Sequence, residues 1–238
     1  MAELALSMNQ VDFAWPKSAP LFRGFDFQLP PGSITAVVGA SGCGKSTLLH
    51  LAAGLHEPQN GTIQRAKGRL GMVFQSPSLL PWRTCLDNVA LPLELEGDPN
   101  AKEKAREALA MVGLSNAQDK RPDALSGGMQ MRTALARALA TEPSMLFLDE
   151  AFSALDAITR KEIHQEFLNL HKQLGFTVML VTHDIEEALL LAHKVEVLRG
   201  EPAELSESFL VPRTDLSRHD WKHSPAFGSL LRDIEAAL

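Results

Sequence analysis

Nine consecutive residues constrain this chain more than any others. Gly39-Ala-Ser-Gly-Cys-Gly-Lys-Ser-Thr47 fits G-x-x-x-x-G-K-[ST] without a mismatch. Ile34 to Val38 before it is a short apolar run of strand type, and Ser46 to Ala53 after it reads as a helix start. In such a turn Gly39, Gly42 and Gly44 free the backbone for unusual dihedrals and close approach. Successive N–H groups of the loop, those of Ala40, Ser41 and Cys43 included, can then point inward at an anion, and the helix N-terminus adds partial positive charge. The turn reads as a triphosphate cradle. Lys45 would reach the β- and γ-phosphates, Ser46 would place its hydroxyl on Mg²⁺, and Thr47 would support the phosphates from the next helical position.

The 238 residues suffice for one large domain, and a hydrophobic content of 45% suits a packed interior. The formal net charge is −6, with Lys and Arg spread thinly, so the chain offers no electrostatic footprint for nucleic acid. Cys43 and Cys85 have neither metal-ligand spacing nor the density of a disulfide framework, the usage of a reducing compartment. Met1 to Gln10 shows no secretion signal, and no apolar run approaches the roughly twenty residues of a membrane span. If the protein works at a membrane, other chains do the spanning.

Leu4 to Phe13 and Phe25 to Leu29 alternate apolar with polar residues, as half-buried strands do, and predict an opening β-rich lobe. Trp15, in a polar Pro-flanked turn, suits stacking on a flat heterocycle as well as covering an apolar patch. Gly61 to Ile63 and Leu70 to Phe74 read as further strands, the second ending on Gln75, a polar side chain placed to reach a metal or a water. Leu86 to Leu95 and Ala101 to Val112 have helical spacing, with Pro81 and Trp82 on the exposed approach to them. Leu125-Ser-Gly-Gly-Met-Gln130 runs into the helical stretch Met131 to Thr141. Ser126 can cap that helix, while Gly127 and Gly128 leave its first N–H groups uncovered, which makes a second anion-seeking helix end.

Met145 to Leu148 is a buried strand ending in Asp149-Glu150, and carboxylates there are costly unless they hold a cation or a reacting water. Asp149 suits Mg²⁺ and Glu150 suits polarising the water. The helix after Asp156 carries Ile163, Phe167, Leu170 and Leu174 along one face and stops at Gly175. Phe176 to Val181 is the next strand, and it ends at Thr182-His183-Asp184, from which His183 could bond a γ-phosphate.

Taken together, Gly39–Thr47, Gln75, Leu125–Gln130, Met145–Glu150, Ser153-Ala-Leu-Asp156 and His183 resemble, in order, the Walker A, Q-loop, signature, Walker B, D-loop and H-loop elements of ATP-binding cassette ATPases. The resemblance implies an α/β fold of the P-loop, RecA-like type. An N-terminal antiparallel β lobe with the phosphate-loop part of the core would occupy residues 1–75, and a helical lobe carrying the signature residues 76–141. The rest of the core would follow at 142–200, and a strand and helix tail at 201–238. It places Trp15 at the adenine and implies head-to-tail homodimers in which Ser126, Gly127 and Gly128 of one chain meet the ATP held by the other, with Asp156 tying the halves together. Lys45 and Mg²⁺ would spread developing charge, Glu150 orient the water, His183 hold the γ-phosphate, and Gln75 link the site to a permease.

More narrowly, Ser78-Leu-Leu-Pro-Trp-Arg-Thr84, the stretch Leu86 to Leu95 and the tail Ser224 to Leu230 look like the ATPase subunits of bacterial nitrate, sulfonate and taurine importers, a group that includes pyrimidine-precursor uptake. That implies a peripheral subunit on the cytoplasmic face of the cell membrane, a transmembrane permease pair and an extracytoplasmic solute-binding protein. An export ATPase, or a soluble cassette of DNA repair or translation, is the alternative. Three departures stand out: Met131 where the family has a polar residue, His193-Lys194 in place of Asp-Arg, and a short segment from Leu198 to Leu205.

Overall fold

The first two strands follow from period-two patterning. In β1 (Leu6–Ala14) and β2 (Pro20–Leu29) the side chains of Leu6, Met8, Phe22, Phe27 and Leu29 are buried, while Gln10, Arg23 and Asp26 face out. The all-buried β3 (Ile34–Val38) then leads into α1 (Lys45–Ala53), β4 (Asn60–Arg65) and β5 (Leu70–Val73). Three helices come next, α2 (Cys85–Leu95), α3 (Ala101–Met111) and α4 (Gly127–Leu139). The chain continues through β6 (Met145–Asp149), α5 (Ala157–Leu174), β7 (Thr177–Val181), α6 (Ile185–Leu191), β8 (Lys194–Arg199) and β9 (Glu204–Leu210), and closes with α7 (Arg218–Lys222) and α8 (Pro225–Ala237). This computed structural model describes residues 4–212 and 218–238, so part of the sequence-predicted tail, residues 213–217, lies outside the described residues. The architecture is the mixed α/β one expected, and the elements start and stop within a few residues of their sequence signals.

The chain divides into two compact units, Met1–Lys67 with Thr177–Leu238, and Gly68–Phe176. In the first, β1 pairs antiparallel with β2 and with β4, giving the expected β lobe. Beside it β3 pairs in parallel with both β7 and β8, and β8 continues antiparallel to β9. A strand buried on both faces between parallel neighbours needs the unbroken apolar run that Ile34 to Val38 supplies. In the second unit β5 and β6 are parallel. Phe147, Phe152 and Phe167 are fully buried there, each such side chain stabilising by about 1.5–3 kcal/mol. Leu174 departs from expectation: it is 50% exposed, because it is the last residue of α5 before Gly175 turns the chain in the left-handed region (φ 71°).

Two of the sequence departures have local explanations. Met131 is buried on α4, so an apolar side chain is what that position accommodates. His193 Nδ1 accepts the Ile34 N–H at 2.7 Å, an acceptor role that a carboxylate also fills, and Lys194 pairs with Glu196. The segment from Leu198 to Leu205 forms the β8–β9 hairpin turn.

Asn88 is a side chain the sequence did not mark. It is fully buried on α2, accepts the Leu80 N–H at 2.7 Å and donates to the carbonyls of Leu80, Arg83 and Thr84. One amide thus fastens the loop that presents Trp82, whose ring is 67% exposed. Asn88→Ala should cost about 1–3 kcal/mol in denaturant unfolding and make the Arg83 peptide bond faster to cleave with trypsin; unchanged cleavage would show that the loop holds itself.

Candidate functional site

The phosphate loop and His183 belong to the first unit, and Gln75, Ser126, Glu150 and Asp156 to the second. In the loop only Gly42 (φ 84°) and Gly44 (φ 106°) adopt left-handed dihedrals. Gly39 is needed for another reason: a Cβ there would collide with the Leu198 carbonyl oxygen of β8 and lie 2.7 Å from Cys43 Sγ. Gly44 is the N-cap of α1 and has no side chain to offer, and no acidic residue occupies the first turn. By contrast α2, α4, α5, α6 and α8 are each capped by a hydroxyl or carboxylate, from Thr84, Ser126, Asp156, Asp184 and Ser224. The head of α1 therefore keeps donors and a positive dipole end for a ligand, which fits an oligophosphate.

Lys45 is buried, and its ammonium donates to the Gly39 and Ala40 carbonyls at 2.9 Å each. An ammonium has three protons, and the loop takes two. The lysine stands inside the cradle rather than reaching over it. Ser46 and Thr47 follow on the first turn of α1, half-buried, and Ala40, Ser41 and Gly42 are exposed. Trp15 is 42% exposed and is held edge-to-face by Phe13 (centroids 5.3 Å) and His56 (5.0 Å). Those contacts brace the indole without enclosing it. His183 is exposed after β7, between a turn in which Asp184 N–H donates to Thr182 Oγ1 and the Asp184 cap of α6.

In the second unit β6 delivers Asp149 and Glu150, both half-buried. Glu150 takes a left-handed backbone (φ 47°), unusual for a non-glycine residue and maintained only where neighbours enforce it. Ser153 provides that enforcement. Its N–H (3.1 Å) and its Oγ (2.8 Å) both donate to the Glu150 carbonyl, and Gln75 Nε2 donates to Ser153 Oγ at 3.3 Å. Arg160 of α5 adds bonds to the Ser153 and Leu155 carbonyls. The structure thus joins Gln75 and Glu150 through a residue to which the sequence reading assigned no role of its own.

Ser126 caps α4 by accepting the Met129 N–H at 3.3 Å, and the helix begins at Gly127, as the cap predicts. Gly127 is exposed and has open space where a Cβ would be, whereas Gly128 is buried and a Cβ there would collide with Thr159 Cγ2 of α5. Asp156, exposed, caps α5 by accepting the Ile158 and Thr159 N–H groups at 3.1 Å. Gly128, Thr159 and Asp156 thereby form one connected corner. Among the described residues no group of three His, Cys, Asp or Glu could hold a metal ion by itself. A mixed set of hydroxyl, amide and carboxylate oxygens is what Mg²⁺ uses when phosphates complete its shell.

A family model described as ABC transporter matches residues 22–153. The chain belongs to the ABC transporter family. The aliphatic sulfonates import ATP-binding protein SsuB 2 of Agrobacterium fabrum is 44% identical over 218 residues, covering 88% of this chain and 80% of that protein. The nitrate import ATP-binding protein NrtD of Synechococcus elongatus is 45% identical over 183 residues, covering 72% of this chain and 67% of that one. Among solved structures, the dimeric post-hydrolysis state of the ATP-binding cassette MJ0796 bound to ADP and Pi is similar with a TM-score of 0.75 and 27% identity, over 88% of this chain and 100% of that one. This cassette is an ATP-binding subunit of a transport system and an ATPase. No helix among its described residues is long and apolar enough to cross a membrane.

Two outcomes follow from the α4–α5 corner. Gly128→Ala should destabilise by about 1–3 kcal/mol through overpacking against Thr159, and Thr159→Ser, which removes the offending methyl, should restore most of the melting temperature; no restoration would place the strain elsewhere. Asp156 is held below its usual 3.8, first by its hydrogen bond with Thr159. A depressed carboxylate stabilises the fold above its unfolded value and loses that contribution as pH falls through the folded value. The melting temperature of the parent should therefore fall further than that of Asp156→Asn as pH drops below about 3.9; parallel curves would remove the charge from the account of this cap.

Proposed function

We propose that this cassette binds and hydrolyses MgATP at a head-to-tail homodimer interface and so drives a transmembrane permease pair of a bacterial importer. The observation that carries the reading is that α1, alone of the capped or glycine-opened helices beside the motif residues, begins with a glycine loop, a buried lysine and no side-chain cap. Charge of several phosphates is stabilised there by the uncapped helix head and the buried ammonium.

In this reading Lys45, the loop N–H groups, Ser46 and Thr47 hold the β- and γ-phosphates, and Trp15 stacks on adenine. Ser126 and the exposed Gly127 end of α4, with Gly128 behind it, meet the γ-phosphate of the partner's nucleotide. Bound Mg²⁺, which Ser46, Gln75 and Asp149 would hold, supplies neutralisation of the charge that develops on the phosphoryl oxygens. Glu150 orients and deprotonates the attacking water, His183 holds the γ-phosphate through the reaction, and Asp156 joins the two copies. Without nucleotide two anion-seeking helix heads have nothing to share, so closure depends on ATP. The helical lobe, residues 76–141, and Gln75 pass closure to the permease on the cytoplasmic face, an extracytoplasmic binding protein delivers the solute, and the solute is a small oxyanion of the nitrate, sulfonate or taurine kind.

Glu150→Gln should keep ATP affinity, lose at least about 10²-fold in turnover and accumulate as a nucleotide-bound dimer in light scattering. Turnover at the parental rate would take Glu150 out of the water-activating role. Lys45→Ala should weaken fluorescent-ATP binding about tenfold or more, the loss of a charge-assisted bond; undiminished affinity would contradict the cradle.

A further inference from the structure

Ser153 does two jobs whose chemistry is mutually exclusive with any other arrangement of its hydroxyl. A serine hydroxyl has one proton and can accept through its lone pairs. Here the proton goes to the Glu150 carbonyl at 2.8 Å, backed by the Ser153 N–H to the same oxygen at 3.1 Å. Toward Gln75 the oxygen can then only accept. That forces the amide of Gln75 to turn its NH₂ end to Ser153, at 3.3 Å, and its carbonyl oxygen away. The two ends of a glutamine amide differ chemically in one decisive way: only the oxygen ligates a hard cation. An unconstrained exposed amide rotates through both orientations.

We infer that Ser153 is a positioning residue that sets the polarity of the Gln75 amide, so that its oxygen is offered to Mg²⁺, while fixing the left-handed turn that carries Glu150. The inference rests on the proposed role of Gln75 as a metal ligand. It adds the residue that makes Gln75 competent and ties metal binding to the placement of the water-activating carboxylate. Arg160 holds the Ser153 carbonyl from α5, so the hydroxyl is presented from a fastened backbone. The Gln75 bond is single, exposed and at the long end of hydrogen-bond distance. Its loss should therefore change metal affinity several-fold rather than by orders of magnitude.

The test compares fluorescent-ATP affinity with and without Mg²⁺, and turnover against Mg²⁺ concentration, in the full-length chain. Ser153→Ala should leave metal-free ATP affinity near the parental value and lower the melting temperature by no more than one lost hydrogen bond accounts for, since the Ser153 N–H still donates to the Glu150 carbonyl. It should reduce the affinity gained on adding Mg²⁺ several-fold, raise the half-activating Mg²⁺ concentration about three- to tenfold, and lower kcat. Ser153→Thr, which keeps the hydroxyl, should behave as the parent in all of these and shows that folding is not the cause. Gln75→Ala should lose at least as much Mg²⁺-dependent affinity, and adding Ser153→Ala to it should cost nothing more. If Gln75→Ala removes the metal dependence and Ser153→Ala leaves it at the parental value, or if the two losses add, Ser153 has no positioning role although the site reading stands. If Gln75→Ala itself leaves the metal dependence intact, Gln75 is not a metal ligand and both readings fail together.

Discussion

An oligophosphate carries several negative charges that water solvates strongly, so a protein can take it up only where donors and positive charge are already in place. The head of α1 meets that condition, and much of its surroundings exists to maintain it. Gly44 leaves the first turn uncapped, Gly42 turns the loop through left-handed space, and β3 is buried between β7 and β8 so that the loop starts from a fixed point. The ammonium of Lys45 bonds the carbonyls of Gly39 and Ala40. In the proposed site those carbonyls, whose partial negative charge would oppose a phosphate, are held by the ammonium. The lysine thus corrects the local field of the loop as well as adding to it.

The carboxylate side has the opposite difficulty. Asp149 and Glu150 follow four buried apolar residues, and the Glu150 backbone lies in a region that costs free energy. The strain is local and so is its support, since three bonds from Ser153 and Gln75 bracket the turn. A carboxylate placed by a strained turn has a defined direction; one on a relaxed loop would not. In the proposed mechanism a small hydroxyl three residues downstream thereby gains leverage on the chemistry.

Much of this was legible in the residues alone because the signals were local. The strand before the loop, the glycines, the Ser126 cap, the strand ending in Asp149-Glu150 and the Gly175 stop each depend on neighbours within a few positions, and the structure reproduces them. What was not legible depends on pairs distant in sequence. Nothing in the sequence says that Gly39 is small because of Leu198, that Gly128 is small because of Thr159, or that Gln75 ends on Ser153. A run of glycines shows that something must come close, not what. Leu174 failed for a related reason, since periodicity assigns a residue to a face but not to the last turn where the covering element has ended.

Helix α4 draws these separate facts into one mechanical statement about residues 68–176. Its Arg137 donates to the carbonyls of Pro77 and Ser78, just beyond Gln75, at 2.9 Å each. Its Arg132 bonds Glu166 of α5 at 2.5 Å and the Val112 carbonyl after α3 at 3.3 Å. Its Gly128 rests against Thr159, which donates to the Asp156 cap. Charge-assisted bonds to backbone carbonyls are among the stiffer links a protein has. A push on the helices therefore cannot move the glycine-opened head of α4 without also loading the exit from Gln75 and the start of α5. Gln75 in turn bonds the serine that holds the turn of Glu150, so in the proposed cycle force and chemistry meet at one hydroxyl.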